Sequence, residues 1–209
     1  MVQYFMDFNV AKSIFESLYS GVDGYNISSK ARKNLPYASK AHTYGEVTPE
    51  GFYKILRDAK AKSKGVFYDL GSGTGKAIIL ASLFRNFSKL VGIEILKDLY
   101  QTSVNILNRF DPEVRPILPI ERQKQVIEFT NADFIEYDLT DSDLVFAHST
   151  YFYDELMIAL EEKCATLKEG TKILLVTKTF QSPLFRLIKS GEYPMTWGKA
   201  TVNFYEKVE

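Results

Sequence analysis

Residues 66–76 read Val-Phe-Tyr-Asp-Leu-Gly-Ser-Gly-Thr-Gly-Lys: an apolar run holding one acid, three glycines at alternate positions, then the helical pattern Ala77-Ile78-Ile79-Leu80. A short apolar run stopped by glycines reads as a buried strand entering a helix through a tight turn. What the turn holds is decided by Asp69. A nucleoside-triphosphate loop, G-x-x-x-x-G-K-[ST], would need glycine at Leu70 and a hydroxyl at Ala77. A dinucleotide fingerprint, G-x-G-x-x-G/A, is met at Gly71 and Gly73. Its third position is Lys76, whose long side chain obstructs close helix-to-strand packing. A carboxylate beside a pyrophosphate would also repel it. A plain strand-to-helix turn explains the glycines and leaves the acid without a purpose.

Working outward, Val10, Ile14 and Leu18 mark an amphipathic helix over 8–20, and 21–43 is loop or short helix. Thr48-Pro49 starts a helix running to about Lys62. Strands are predicted over 66–70, 89–94, 125–131, 143–148, 171–179 and 201–208, and helices over 74–85, 97–110 and 154–167. Pro112, Pro116 and Pro119 break the chain into a loop. Strands alternating with helices give an α/β sandwich around a mainly parallel sheet. Such sheets bind ligands outside the carboxyl ends of their strands, and Asp69, Glu94, Asp133 and His148 each end or closely follow a predicted strand.

S-adenosylmethionine is a ligand that uses such acids, because it carries an ammonium, a sulfonium and a carboxylate but no phosphate. Gly71, Gly73 and Gly75 let the backbone approach closely, and the helix start can donate amides to the carboxylate. Asp69 would accept from the ammonium and Glu94 from the ribose diol. Asp133 would accept from the adenine amine, while Phe134 covers the ring.

The 209 residues carry 26 basic and 26 acidic side chains. No strong basic field recruits nucleic acid or an anionic membrane, so weak or no nucleic-acid binding is expected. The densest basic stretch, Lys30–Lys40, reads as a solvated loop, and His42 as a loop residue. Cys164 is the one cysteine, on an apolar helical face with Leu156, Leu160 and Leu167, and reads as a buried thiol in a reducing compartment. No apolar run spans a bilayer and no signal pattern opens the chain. A monomeric cytoplasmic protein is expected.

Several segments together resemble the non-SET histone lysine methyltransferases, of the disruptor-of-telomeric-silencing type. They are Tyr44-Gly45-Glu46, Asp69–Gly75, Gly92-Ile93-Glu94, Ala132-Asp133-Phe134, Asp143–Phe152, Leu167–Ile173, Lys178-Thr179-Phe180, Trp197-Gly198-Lys199 and Asn203-Phe204-Tyr205. The resemblance implies a Rossmann-like, seven-stranded class I methyltransferase domain over 44–209 behind a small helical cap over 1–43. It implies that Tyr44, Glu46 and Val47 close over the methionine end of the cofactor, and that methyl passes to a lysine of a protein substrate. A nuclear location follows if the histone role holds. Lys76 stands where the family has a cofactor-site glutamine. His148-Ser149-Thr150-Tyr151-Phe152 stands where it has Asn-Asn-Phe-x-Phe, and Phe204 where it has a channel tyrosine. The family's basic nucleosome-binding extension has no counterpart in these residues.

Methyl transfer is an in-line displacement by an unprotonated amine. Tyr151, Phe152, Phe204 and Tyr205 are channel-wall candidates or core aromatics. His148 is a proton acceptor or a structural group, and Ser149 a group to orient the amine. Three functions stay open: a protein lysine methyltransferase, a methyltransferase acting on another nucleophile such as a small amine, RNA or a non-lysine protein site, and a cofactor-binding module without turnover.

Overall fold

The computed structural model describes residues 6–33 and 45–208. Seven strands form one sheet in the order β3-β2-β1-β4-β5-β7-β6. They are β1 (Val66–Leu70), β2 (Lys89–Glu94), β3 (Val126–Asn131), β4 (Leu144–Ala147), β5 (Lys172–Val176), β6 (Phe185–Met195) and β7 (Gly198–Lys207). The first five pair in parallel, whereas β7 runs antiparallel to both β5 and β6. The strand order reverses between β1 and β4, so a crevice opens at their carboxyl ends.

The helices are α1 (Phe8–Leu18), α2 (Gly24–Lys33), α3 (Pro49–Ala59), α4 (Lys76–Phe84), α5 (Lys97–Glu113), α6 (Ile120–Gln123) and α7 (Asp154–Ala165). Thr48 caps α3 as expected, its Oγ1 accepting from Gly51 N at 3.1 Å. Every residue of α4 from Ala77 to Phe84 is buried. A helix that is apolar all round needs cover on every side. The sheet covers one side, and α1 and α3 pack on others. Ala11, Phe15 and Leu18 therefore share a core with Ile55, Ile78, Leu90 and Phe146. The opposite sheet face packs on α7 through Leu160 and Cys164. Cys164 is fully buried, and burial pushes its thiol up to about 12.

Most boundaries move by a few residues, and four differences from the sequence reading have a physical cause. β6 is 11 residues long and went unpredicted. It carries Gly191 and Pro194 and buries only Phe185, Tyr193 and Met195 outright, so it shows neither a continuous apolar run nor clean alternation. As an outer strand it tolerates a missing N–H. β5 ends at Val176 instead of Thr179, because Thr177 turns to φ 71° and leaves the sheet. α5 runs through Pro112 to Glu113, with Val114 N still donating to Phe110 O at 2.9 Å. α4 begins at Lys76 and not Thr74, after a left-handed Gly75.

Candidate active site

The glycine turn crosses the ends of β1 and β2 with Gly71, Gly73 and Gly75 at φ 77°, 57° and 83°, all in the left-handed region. Gly71 N and Ser72 N both donate to Ile93 O, at 2.9 and 3.0 Å. A Cβ on Gly75 would stand 2.5 Å from Phe129 Cζ, so the turn lies directly on β3.

Glu94 is held on both oxygens: Oε2 accepts from Gly73 N and Oε1 from Leu96 N, each at 2.8 Å. It is 6% exposed, and burial raises its pKa despite those amides. It lines a cavity of ≈ 310 Å³ with Gly71, Leu96, Leu99, Asp133, Phe134, His148 and Phe152. Asp133 Oδ1 accepts from Ile135 N at 2.9 Å, which fixes its carboxylate at the mouth. Phe134 and Phe152 stack with centroids 5.8 Å apart and planes 18° apart. Phe152 thus lines the larger cavity beside Phe134.

A second, smaller cavity of ≈ 30 Å³ adjoins the first across Gly45, Gly71 and His148. Glu46, Val47, Asp69, Ser72 and Lys76 line it. Its size suits one water or one ammonium group. Asp69 is 3% exposed and its carboxyl accepts no hydrogen bond among the described residues; burial, then the nearby Glu94 charge, push it up to about 8. Lys76 Nζ reaches Glu46 Oε2 at 2.6 Å and lies 5.4 Å from the centre of the Tyr19 ring. Tyr19 Oη donates to Thr74 O at 3.0 Å, so α1 supports the glycine turn from behind. Val47 bridges to Met195 of β6.

Among the described residues, five buried side-chain polar atoms lack a partner, and three of them, Glu46 Oε1, Ser72 Oγ and His148 Nε2, belong to residues lining this small cavity. Buried polar atoms are almost always paired in folded proteins. Their concentration beside an unpaired carboxyl marks a place for a polar, cationic group, which fits the amino-acid end of the expected cofactor. Burial lowers the His148 pKa to about 4, so its imidazole is neutral at pH 7. Trp197 meets it edge-on at 4.8 Å, and a Cβ on Gly45 would come within 2.6 Å of its Cε1.

Three of the five predicted catalytic residues are not brought to the cleft, and of the three turn glycines only Gly71 lines it. Ser149 is fully buried, and its hydroxyl donates to Val176 O at 2.8 Å, tying the 3₁₀ turn Ser149–Tyr151 to β5. Tyr151 is 47% exposed and lines neither cavity. Phe204 is a core residue, 3% exposed, packed on Tyr193 with centroids 5.7 Å apart. Tyr205, another candidate wall, is spent on structure, its hydroxyl accepting from Phe180 N at 3.2 Å. Tyr44, His42 and the basic stretch beyond Lys33 lie outside the described residues. Sequence reasoning missed Tyr19, and Ser72 as a lining group. Ser72 had a signal, since it sits inside the glycine turn; Tyr19, 55 residues from its acceptor Thr74, had none.

A family model described as "Histone methylation protein DOT1" matches residues 25–193, from α2 to β6. The match stops short of Trp197. The H3 lysine-79 specific histone-lysine N-methyltransferase of Dictyostelium discoideum is 28% identical over 159 residues, covering 74% of this chain. The Caenorhabditis elegans protein of the same description is 27% identical over 174 residues, covering 79%. The chain spans only 8% and 17% of the lengths of these two relatives. An RNA methyltransferase from Salinibacter ruber, solved with S-adenosyl-L-homocysteine, superposes with a TM-score of 0.57 at 21% identity, over 76% of this chain and 90% of that one. At that identity the likeness is one of fold.

Proposed function

The chain belongs to the DOT1 histone methylation family, and from that membership we propose that it is an S-adenosylmethionine-dependent methyltransferase acting on a lysine amine of a protein. The observation that supports this most is the small acid-lined chamber with its unpaired atoms, joined to a larger cavity that ends in an aromatic pair. S-adenosylmethionine, when bound, supplies an activated methyl group.

In this reading Asp69 accepts from the ligand's ammonium, and Ser72 and Glu46 Oε1 take the remaining polar contacts of that end. Gly71, Gly73 and Gly75 supply the close backbone approach. Glu94 keeps its two amides and uses its remaining lone pairs on the ribose hydroxyls. Asp133 faces the adenine edge, while Phe134 and Phe152 cover the ring. Lys76, held by Glu46, keeps Val47 and its loop against the glycine turn. His148, whose buried Nε2 has no partner, is the one residue of the replaced asparagine pair that lines the chamber, while Ser149 has given its hydroxyl to Val176. A neutral imidazole there can accept a hydrogen bond from the incoming amine and so orient it.

The relatives' printed substrate draws the expected setting toward chromatin and away from the cytoplasm. We take the protein to act as a monomer that holds duplex DNA weakly. Among the described residues no helix is long and apolar enough to cross a membrane. The test is transfer of tritium from labelled cofactor into histones, nucleosomes and whole lysate, with the lysate split into protein, RNA and small molecules. Label recovered as methyl-lysine after hydrolysis is the expected result. Label in RNA or small amines alone would move the function to another nucleophile, and cofactor binding without label would leave a binding module.

A further inference from the structure

The opposite edge of the sheet carries a second polar cleft that the cofactor reading does not use. The connections leading into β1 and β2, together with α6, enclose a space of ≈ 140 Å³. Its polar lining is Lys62, Ser63, Arg85, Asn86 and Arg122, with no acid among the lining residues. The space takes several water-sized groups.

Arg122 is the unusual member. It is 5% exposed, yet its guanidinium makes one hydrogen bond among the described residues, to Leu83 O at the end of α4. A guanidinium has five N–H donors. Arg85 donates to Leu56 O near the end of α3 at 3.2 Å. Helix capping therefore explains one N–H of each arginine. It does not explain two like charges and a lysine around one small cleft. Buried charges are ordinarily paired, because an uncompensated one is costly. Among the described residues no carboxylate comes within ion-pair distance of either arginine, and Lys62 touches Asp143 Oδ1 only at 3.6 Å, from a side chain that is 74% exposed. Burial and then the Arg85 charge lower the Arg122 pKa, while Glu121 opposes them.

We propose that this cleft binds a phosphate-type oxyanion, with Arg122 at its floor, Arg85 and Lys62 on its walls, and Ser63 and Asn86 as neutral donors. A tetrahedral dianion would supply the acceptors that Arg122 lacks, and charge-assisted bonds to a guanidinium are the strong kind. The backbone around the cleft is tied down: Lys64 N donates to Asn86 O at 2.6 Å, and Gln125 Nε2 to Arg85 O at 2.7 Å. The site is independent of the cofactor cleft, so its test does not depend on turnover.

The experiment titrates inorganic phosphate, sulfate and chloride at matched ionic strength into the full chain with S-adenosylhomocysteine present, following heat and melting temperature. Wild type is compared with Lys62→Gln and Arg122→Gln. Phosphate and sulfate should bind and raise the melting temperature while chloride does not. Lys62→Gln should weaken phosphate about threefold and Arg122→Gln about tenfold or more, as expected for losing a charge-assisted hydrogen bond. Lys62 is exposed enough that its variant will fold, so it decides the matter if Arg122→Gln does not. Duplex DNA that competes with phosphate, and loses affinity in the same variants, would make a nucleic-acid backbone the source of the phosphate. Phosphate binding without such competition would make the free ion the ligand. An equal response to chloride, or a phosphate response unchanged in Lys62→Gln, would overturn the proposal and leave the arginines as helix caps.

Discussion

The two cavities of the cleft are lined by similar acids in opposite states. In the larger one Glu94 already holds two backbone amides and Asp133 a third, so their carboxylates are aimed before any ligand arrives. In the smaller one Asp69 has no such partner, and Glu46, Ser72 and His148 each leave a buried polar atom unpaired. One half is preorganised; the other carries a desolvation cost that a ligand would relieve. Geometry and electrostatic strain are thus divided between neighbouring halves of one site.

The sharpest way to break this contrast is to neutralise each acid in turn. Asp69→Asn should weaken S-adenosylhomocysteine binding by about 2–3 kcal/mol, as for losing a hydrogen bond to a charged group. It should leave the ligand-free melting temperature at pH 8 unchanged or raised. Glu94→Gln should weaken binding and also cost about 1–3 kcal/mol of stability, because Gly73 N or Leu96 N loses its acceptor. Calorimetry with thermal melts separates the two. Equal stability losses in both variants would erase the distinction.

pH gives the next largest effect. A carboxyl whose folded pKa lies above its unfolded value holds its proton more tightly in the folded chain. The contribution of Asp69 to ligand-free stability is therefore full below the ordinary carboxylate range and lost as pH rises through about 8. His148, lowered to about 4, works the other way: its contribution is full above the ordinary imidazole range and lost as pH falls through about 4. Between about pH 6.5 and 8 the Asp69 effect dominates, with Glu94 shifted in the same direction. Through Asp69 alone, ligand-free stability should fall across that window by at most about 1.4 kcal/mol per pH unit, and that part of the fall should vanish in Asp69→Asn. Pairing Asp69 with an ammonium requires its ionised form, so binding at pH 7 should release a proton. Calorimetry in two buffers of different ionisation heat reads that proton directly.

His148→Ala should lower kcat about tenfold with little change in cofactor affinity, the pattern of an interaction made mainly in the transition state. Joint loss of melting temperature and activity would make His148 structural instead. The smallest effect is expected at Ser149→Ala, with about 1 kcal/mol of stability lost as Val176 O loses its donor, and no change in KM. A raised KM there would return Ser149 to the site.

Asp69 and Glu94 could be read from the sequence because each ends a continuous apolar strand, and strand order alone puts such ends in one crevice. β6 could not be read, since an outer strand with Gly191 and Pro194 is defined by its pairing to β7 and not by its own pattern. Phe204 and Tyr205 show the limit of alternation. It says they face opposite ways, but not that Phe204 meets Tyr193 and Tyr205 meets Phe180. The partner of Ser149 could not be read because the carbonyl it serves lies 27 residues away. The Lys76–Glu46 pair was hidden for the same reason, spanning 30 residues between two segments that look unrelated.

The contact between Gly45, His148 and Trp197 has a consequence for how this chain can change over generations. A methyl at position 45 would meet His148 Cε1 at 2.6 Å and Trp197 Cζ3 at 3.0 Å, so one of the two rings must shift or shrink to admit it. The three positions are locked into one joint choice. Descendants that enlarge residue 45 should be found only with a smaller residue at 148 or 197, and the covariation of those three columns among close homologues would reveal or refute the lock.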